Sequence, residues 1–297
     1  MDLRQVEYVV GVVEHGGFTR GAAALHVAQP SLSQAVRRLE DELGAPLFAR
    51  VGRRVELTPA GDAFLGPARQ MLRAALEARG AVSAHVELVA GGLDLAALPT
   101  LVAEPLAGMI GTFRSRHPAV VVRVAETTSP HGVLELLRHG QCEIALTEAA
   151  GTVGDLVRIE LGDQELMAVL PPGRVVDGRR FALGSLAAEA LVLSPPGTSI
   201  RDLIETAFAT IGATPVVAVE TAQREAIIPL VVAGAGATVL PAPLAFDAEA
   251  RGATIAGLEP RLWRTIGLVH RPRGLSPAAR AFLDVAVAAG AGRQGSS

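Results

Sequence analysis

Residues 29–44 read QPSLSQAVRRLEDELG. Leu32, Val36, Leu39 and Leu43 step by four, three and four, which lays a single apolar stripe along a helix. Pro30 fixes the chain entering that helix, Ser31-Leu32-Ser33-Gln34 has the form of a capping box, and Gly44 ends it. The other face carries Ser33, Gln34, Arg37 and Asp41. Glutamine makes a bidentate contact to adenine and arginine to guanine, whereas serine accepts either base type, so this face suits base edges in a major groove.

The flanks supply what such a helix needs. Asp2-Leu3-Arg4-Gln5 is a second capping-box pattern, and Leu3, Val6, Val10 and Val13 recur at helical spacing until Gly16-Gly17. Thr19 is placed to cap a short helix through Ala22, Ala23 and Leu25, and 26–29 (HVAQ) forms a tight link to the third. Two short helices joined by a turn and resting on a first make a helix-turn-helix, whose second helix enters the groove N-terminal half first. Candidate DNA contacts are therefore Gln29, Pro30, Ser31, Ser33, Gln34, Arg37 and Arg38. Phe48–Arg50 and Val55–Leu57 are expected to pair as a hairpin, or wing, around Val51–Arg54. Arg53 and Arg54 at its tip suit phosphates or the neighbouring minor groove. Residues 1–60 hold seven arginines and seven acids. The module is neutral, so arginine placement rather than bulk charge must carry affinity, and one copy should bind weakly.

Thr58-Pro59 is a strong helix start. Phe64, Leu65, Ala68, Met71, Leu72, Ala75, Leu76, Val82 and Val86 continue at helical and near-heptad spacing, which predicts a helix over about 59–87, on the order of 40 Å long. A small wing domain is not expected to bury so long a stripe, and a partner helix from a second chain would. Beyond Leu88 the pattern alternates. Strands are expected at 93–98, 120–126, 143–148, 166–171, 191–196, 215–220, 236–241 and 265–271, with helices at 101–118 and 129–140. This predicts an α/β arrangement of parallel strands with crossover helices. Hydroxyl residues fall at its strand-to-helix turns: Thr100, Thr128, Ser129, Thr198, Ser199 and Thr221. Each can serve as a helix cap or as a donor to a small ligand.

The whole chain sets outer limits. It has 297 residues, of which 49% are hydrophobic and 19% charged, enough for about two domains. The net charge of −3 gives no global sign of nucleic-acid binding. All 27 basic residues are arginine, which excludes a lysine Schiff base and the lysine of a phosphate-binding P-loop. Residues 227–246 are uncharged for about a bilayer's thickness, but Pro229, Pro241 and Pro243 with Gly234 and Gly236 point to a buried helix, a turn and a strand. The N-terminus does not resemble a secretory signal, so a cytoplasmic protein without membrane contact is expected.

The run GFTRGAAALHVAQPSLSQAVRRLEDELGAPLFAR, followed by VELTPAG, closely resembles the winged helix-turn-helix of LysR-type bacterial transcriptional regulators over residues 1–65. The resemblance implies a DNA-binding unit (1–58), a dimerising linker helix (59–89) and an effector domain (90–297). That domain would have two lobes of periplasmic-binding-protein type, 90–161 with 266–297 and 162–265. It further implies double-stranded operator DNA, an unidentified small effector, contact with RNA polymerase, and a homodimer or homotetramer, with no cofactor. The hydroxyl residues above fall at the family's cleft positions. Some relatives that sense aromatic carboxylates carry arginine near the strand end that holds Glu148, and an acid there points away from that ligand class, towards an effector that is neutral, carries a cationic group or sits differently.

Competing chemistry is weak. Cys142, the sole cysteine, begins a strand in apolar company and reads as structural; it lacks the second cysteine that peroxide-sensing relatives use to form a disulfide. His131, Glu135 and His139 fall at four-residue steps, but charged residues at that spacing are usually a solvated face rather than a metal site. Gly234 and Gly236 follow a helix, not a strand, unlike a dinucleotide loop. No catalytic set is discernible. A two-lobed solute-binding module, or an enzyme with a vestigial DNA-binding domain, are the alternatives that the C-terminal two-thirds would permit.

Overall fold

The computed structural model describes residues 1–51, 54–82, 91–149, 154–176, 178 and 180–294. Helix α1 (Leu3–Glu14) opens on the expected capping box: Asp2 Oδ1 accepts from the Gln5 N–H at 2.8 Å, and Gln5 Oε1 accepts from the Asp2 N–H at 2.8 Å. Helix α2 (Phe18–Ala24) is capped by Gly17 instead of Thr19, which lies inside its first turn. Helix α3 (Gln29–Leu43) begins ahead of Ser31, with Ala28 as N-cap and Pro30 in the first turn. The expected SLSQ capping box is thus interior to the helix, because the fixed φ of Pro30 already organises the turn before it. Gly44 caps the C-terminus in the left-handed conformation. Leu32, Val36 and Leu39 are fully buried, whereas Leu43 is 42% exposed and Leu47 closes that end of the core instead.

The exit from α3 is held by one carboxylate. Glu40 Oε1 accepts from the backbone N–H groups of Leu47 (2.7 Å) and Phe48 (3.1 Å), tying α3 to strand β1 (Phe48–Val51). β1 pairs antiparallel with β2 (Arg54–Leu57) to make the expected wing. Thr58 then caps α4 (Pro59–Val82), accepting from the Gly61 N–H at 3.0 Å and donating to the Pro46 carbonyl at 2.6 Å. A Cβ on Gly61 would lie 2.1 Å from the Leu47 carbonyl oxygen, so only glycine lets α4 approach the wing this closely. The 24 residues of α4 span about 36 Å. The wing domain buries the first half of the α4 stripe: Leu65, Ala68, Met71 and Leu72 pack on Val6, Val10 and Val13 of α1. Residues 83–90, with Val86, lie outside the described residues.

The remaining chain forms a seven-stranded sheet in the order β10-β6-β11-β5-β3-β4, with β7 attached to β11. Its strands are β3 (Gly91–Ala97), β4 (Val120–Glu126), β5 (Ile144–Glu148), β6 (Val157–Leu170), β7 (Arg180–Ala182), β10 (Thr238–Pro241) and β11 (Thr254–His270). Strands β8 (Ala190–Leu193) and β9 (Val216–Glu220) form a separate parallel pair. The expectation of parallel strands holds for β5-β3-β4 and β8-β9, but β6 and β11 run antiparallel to each other over their length. Their 14 and 17 residues each join two shorter segments, of which only the apolar half was anticipated.

The register shifts where β6 and β11 pass from one half of the sheet to the other, at Ile266/Gly267. Gly162, paired there with Ile266, has φ +116°, which a residue with a Cβ rarely adopts. One apolar core gathers Leu93–Leu161 residues with Ile266–Ala286 residues, including Phe113 and Phe282 in edge-to-face contact. Two others draw on residues 166–258 and flank the opposite half. Residues 227–246 form α10 (Ile227–Val232), a turn and β10, then enter a helix at Ala242. Among the described residues no helix is long and apolar enough to cross a membrane.

Candidate functional site

On α3, burial of Leu32, Val36 and Leu39 turns the opposite face outward. Gln29, Pro30, Ser31, Gln34, Arg37 and Arg38 are exposed and Ser33 is half-buried. Arg37 and Arg38 form no ion pair with any described residue, so both guanidinium groups are available to an outside acceptor. A helix of this kind fits the roughly 12 Å width of a B-DNA major groove. Arg54 lies at the start of β2; its side chain, and all of Arg53, are outside the described residues.

A second polar cluster lies where the two long strands pair. Arg264 on β11 and Gln164 on β6 are register partners, so their side chains leave the same face. Arg264, 4% exposed, donates through Nε (2.8 Å) and Nη2 (2.5 Å) to Gln164 Oε1, and through Nη2 to Thr100 Oγ1 at 2.9 Å. Its Nη1 is 3.6 Å from Glu148 Oε1 and donates to Ser199 Oγ at 3.4 Å. Ser199 Oγ itself donates to Glu148. Burial dominates the electrostatics, and pushes Arg264 down to about 10 despite the opposing pull of Glu148. One guanidinium thereby joins side chains from both halves of the sheet domain. The Ser199 N–H donates to the Thr128 carbonyl at 3.2 Å, adding a backbone tie.

The anticipated effector residues divide around this cluster. Thr100, Glu148 and Ser199 converge on Arg264. Ser129 caps helix α7 (Pro130–Arg138), accepting from the Gly132 N–H at 3.1 Å. Thr198 is buried against Ser194 (2.6 Å) and the Pro195 carbonyl. Thr221 accepts from the Gln223 N–H in a local turn. Beside the cluster is a cavity of about 350 Å³, lined by Pro99, Thr100 and Glu126 on one side and by Ser194, Ile200, Arg224, Ile227, Leu240 and others across it. Of the anticipated residues, only Thr100 lines it. Glu148 is occupied by Arg264 and Ser199, so its acidity carries no information about the cavity's preferred charge. Arg264, Gln164 and Arg224 were not singled out from sequence. Leu262, Arg264, Ile266 and Leu268 alternate on one strand face, and an arginine at an inward position is the signal that would have found the first.

The remaining candidates are structural. Cys142 is fully buried in the first core. On α7, Glu135 is engaged by Arg138 at 2.8 Å and His139 at 3.7 Å, and the Arg138 hydrogen bond holds its carboxyl below the ordinary value. Among the described residues no three His, Cys, Asp or Glu converge as a metal site requires.

A winged helix-turn-helix joined by a long helix to a two-lobed α/β unit is the architecture of a DNA-binding regulator with an effector-binding domain. Residues 3–62 match the bacterial regulatory helix-turn-helix proteins of the lysR family, and residues 87–291 match the LysR substrate binding domain. The chain belongs to the LysR family of transcriptional regulators. It is 31% identical over 278 residues to the DNA-binding transcriptional dual regulator OxyR of Escherichia coli, covering 92% of this chain and 90% of that one. It is 30% identical over 276 residues to the hydrogen peroxide-inducible genes activator of Pectobacterium carotovorum subsp. carotovorum, covering 92% and 91%. Full-length OxyR from Pseudomonas aeruginosa superposes with a TM-score of 0.80 at 25% identity, covering 98% of this chain and 94% of that one. Members of this family are transcription regulators rather than enzymes.

Proposed function

We propose that the outward face of α3, Gln29 to Arg38, reads base edges of an operator while Arg53 and Arg54 of the wing hold phosphates. The observation that carries this is the exposure of Gln34 and Arg37 on a helix whose other face is locked by Leu32, Val36 and Leu39. The division is into 1–58, 59–89 and 90–297, with lobes 90–161 plus 266–297 and 162–265; separate apolar cores support the two lobes, whereas 1–58 shares a core with the first half of α4. α4 pairs with its counterpart in a homodimer, which brings two half-sites under one molecule and offsets the weak binding of a neutral module. A tetramer of such dimers, contact with RNA polymerase and residence in the cytoplasm complete the proposal.

The effector enters between the lobes, where Thr100 lines the cavity and Ser129, Thr128, Thr198, Ser199, Thr221 and Glu148 surround it at one remove. It favours one lobe arrangement and passes that bias through α4 to the DNA-bound modules, and only a ligand with unequal affinity for the two arrangements does so. Two relatives at about this distance include peroxide-inducible activators. With one cysteine, and that one fully buried, this chain responds to a reversibly bound ligand instead of an intrachain disulfide. No catalysis is assigned to it. The test is electrophoretic titration of the DNA upstream of its own gene at fixed salt. Arg37→Ala should lose about 1–3 kcal/mol and relax preference at one base pair; unchanged affinity and preference would remove Arg37 from the interface.

A further inference from the structure

The inter-lobe cavity has walls of two kinds. Ile200, Ile204, Ile227 and Leu240 supply an apolar lining without an aromatic ring. The charged lining is Arg224, Glu126 and Glu225, while Asp247 and Arg251 neutralise each other at 2.9 Å. Arg224 differs from the other lining cation: its side chain makes no hydrogen bond or ion pair with a described residue, and its Nη2 is shut off from water without an acceptor. Burial holds its pKa below the ordinary arginine value, against the pull of Glu126 across the lobes. A buried guanidinium nitrogen without an acceptor is costly, and a carboxylate is the partner whose two oxygens match its fork.

We propose that the effector is a small amphiphile with one carboxylate, which pairs with Arg224, and an aliphatic body that packs against the isoleucines of the lining. The inference rests on the cavity being the effector site and names the ligand class for it. Size agrees: about 350 Å³ lies at the small end of the roughly 300–1,000 Å³ of small-molecule pockets. The carboxylates set the charge. Glu126 and Glu225 are exposed and solvated, so an ammonium gains little from them, while the second carboxylate of a dicarboxylate would have to lose its water among the isoleucines. Because Pro99, Thr100 and Glu126 come from one lobe and Arg224 with the isoleucines from the other, an occupant that touches both walls favours the lobes as they stand here.

Calorimetric titration of the full-length chain with four eight-carbon probes tests this: octanoate, 1-octanol, octylamine and octanedioate. Octanoate should bind saturably at one site per chain, at least about tenfold tighter than the other three. Arg224→Gln should bind octanoate no better than octanol. Ile228→Phe, which fills the cavity without touching the charge, should lose octanoate and so replaces Arg224→Gln should that variant fail to fold. Octanol equal to octanoate, octanoate binding unaffected by both substitutions, or no binding of any probe would overturn the proposal. DNA binding measured on the same preparation separates the outcomes. Sequence-selective DNA binding without octanoate preference rejects only the ligand class, whereas octanoate binding without DNA selectivity rejects only the regulatory role of α3.

Discussion

Replacing Arg264 with methionine keeps an apolar stem of similar length and removes the guanidinium. Arg264 and Glu148 have side-chain exposures of 1% and 12%, so the carboxylate left behind is largely buried, with Ser199 its donor among the described residues. Thr100 Oγ1 and Gln164 Oε1 also lose their donor. Breaking a buried ion pair from one side costs about 3–5 kcal/mol. Removing both charges together, in Glu148→Gln with Arg264→Met, should return stability to within about 1 kcal/mol of wild type, or raise it, because the burial cost of the guanidinium disappears with the pair. The only tryptophan, Trp263, adjoins Arg264 on β11 and is 43% exposed, which makes its fluorescence a local probe of urea unfolding. With an m-value near 3 kcal/mol/M, the single variant should lower the midpoint by about 1–2 M. A midpoint within 0.3 M (about 1 kcal/mol) of wild type for Arg264→Met, or a double variant as unstable as the single, would refute Arg264 as a group that holds the two halves of the sheet domain together.

Three further outcomes follow from individual contacts. Glu40→Ala leaves the Leu47 and Phe48 N–H groups without their acceptor; thermal unfolding of the DNA-binding module should show a loss of about 1–3 kcal/mol, with DNA affinity falling alongside it. Gly61→Ala puts a methyl 2.1 Å from the Leu47 carbonyl, and should cost about 1–3 kcal/mol and displace α4 from the wing, read as weakened DNA binding at unchanged effector-domain stability. Ser129→Ala removes the cap of α7; a stability loss of about 1 kcal/mol with ligand affinity unchanged identifies it as a cap, while a loss of ligand affinity of similar size makes it a contact as well.

The N-terminal third was readable because its determinants are local. Capping residues, stripes at helical period and terminating glycines lie within a few residues of what they control, so α1, α3, the wing and α4 emerge from the sequence. The errors there arose where two start signals compete, as Ser31 does with Pro30 for the start of α3. The effector domain is built differently. The polar halves of β6 and β11, VRIELGDQE and TIAGLEPRLWR, look unlike buried strands because they cross between lobes where neither face is uniformly covered. Their antiparallel pairing, like the meeting of Thr100, Gln164, Glu148 and Arg264, joins residues up to 164 positions apart and leaves no periodic trace. The hydroxyl at 100 could be marked from its turn. The arginine that binds it could be marked only by asking why a cation sits on an apolar strand face.

The most direct test of α3 as a base-reading helix is selection of bound fragments from total genomic DNA by the full-length protein, followed by footprinting of those enriched. Two or more protected half-sites spaced by whole turns of the duplex, with enrichment abolished by Gln34→Ala/Arg37→Ala, is the expected result. Equal retention of all fragments, or enrichment that survives the double substitution, would contradict it.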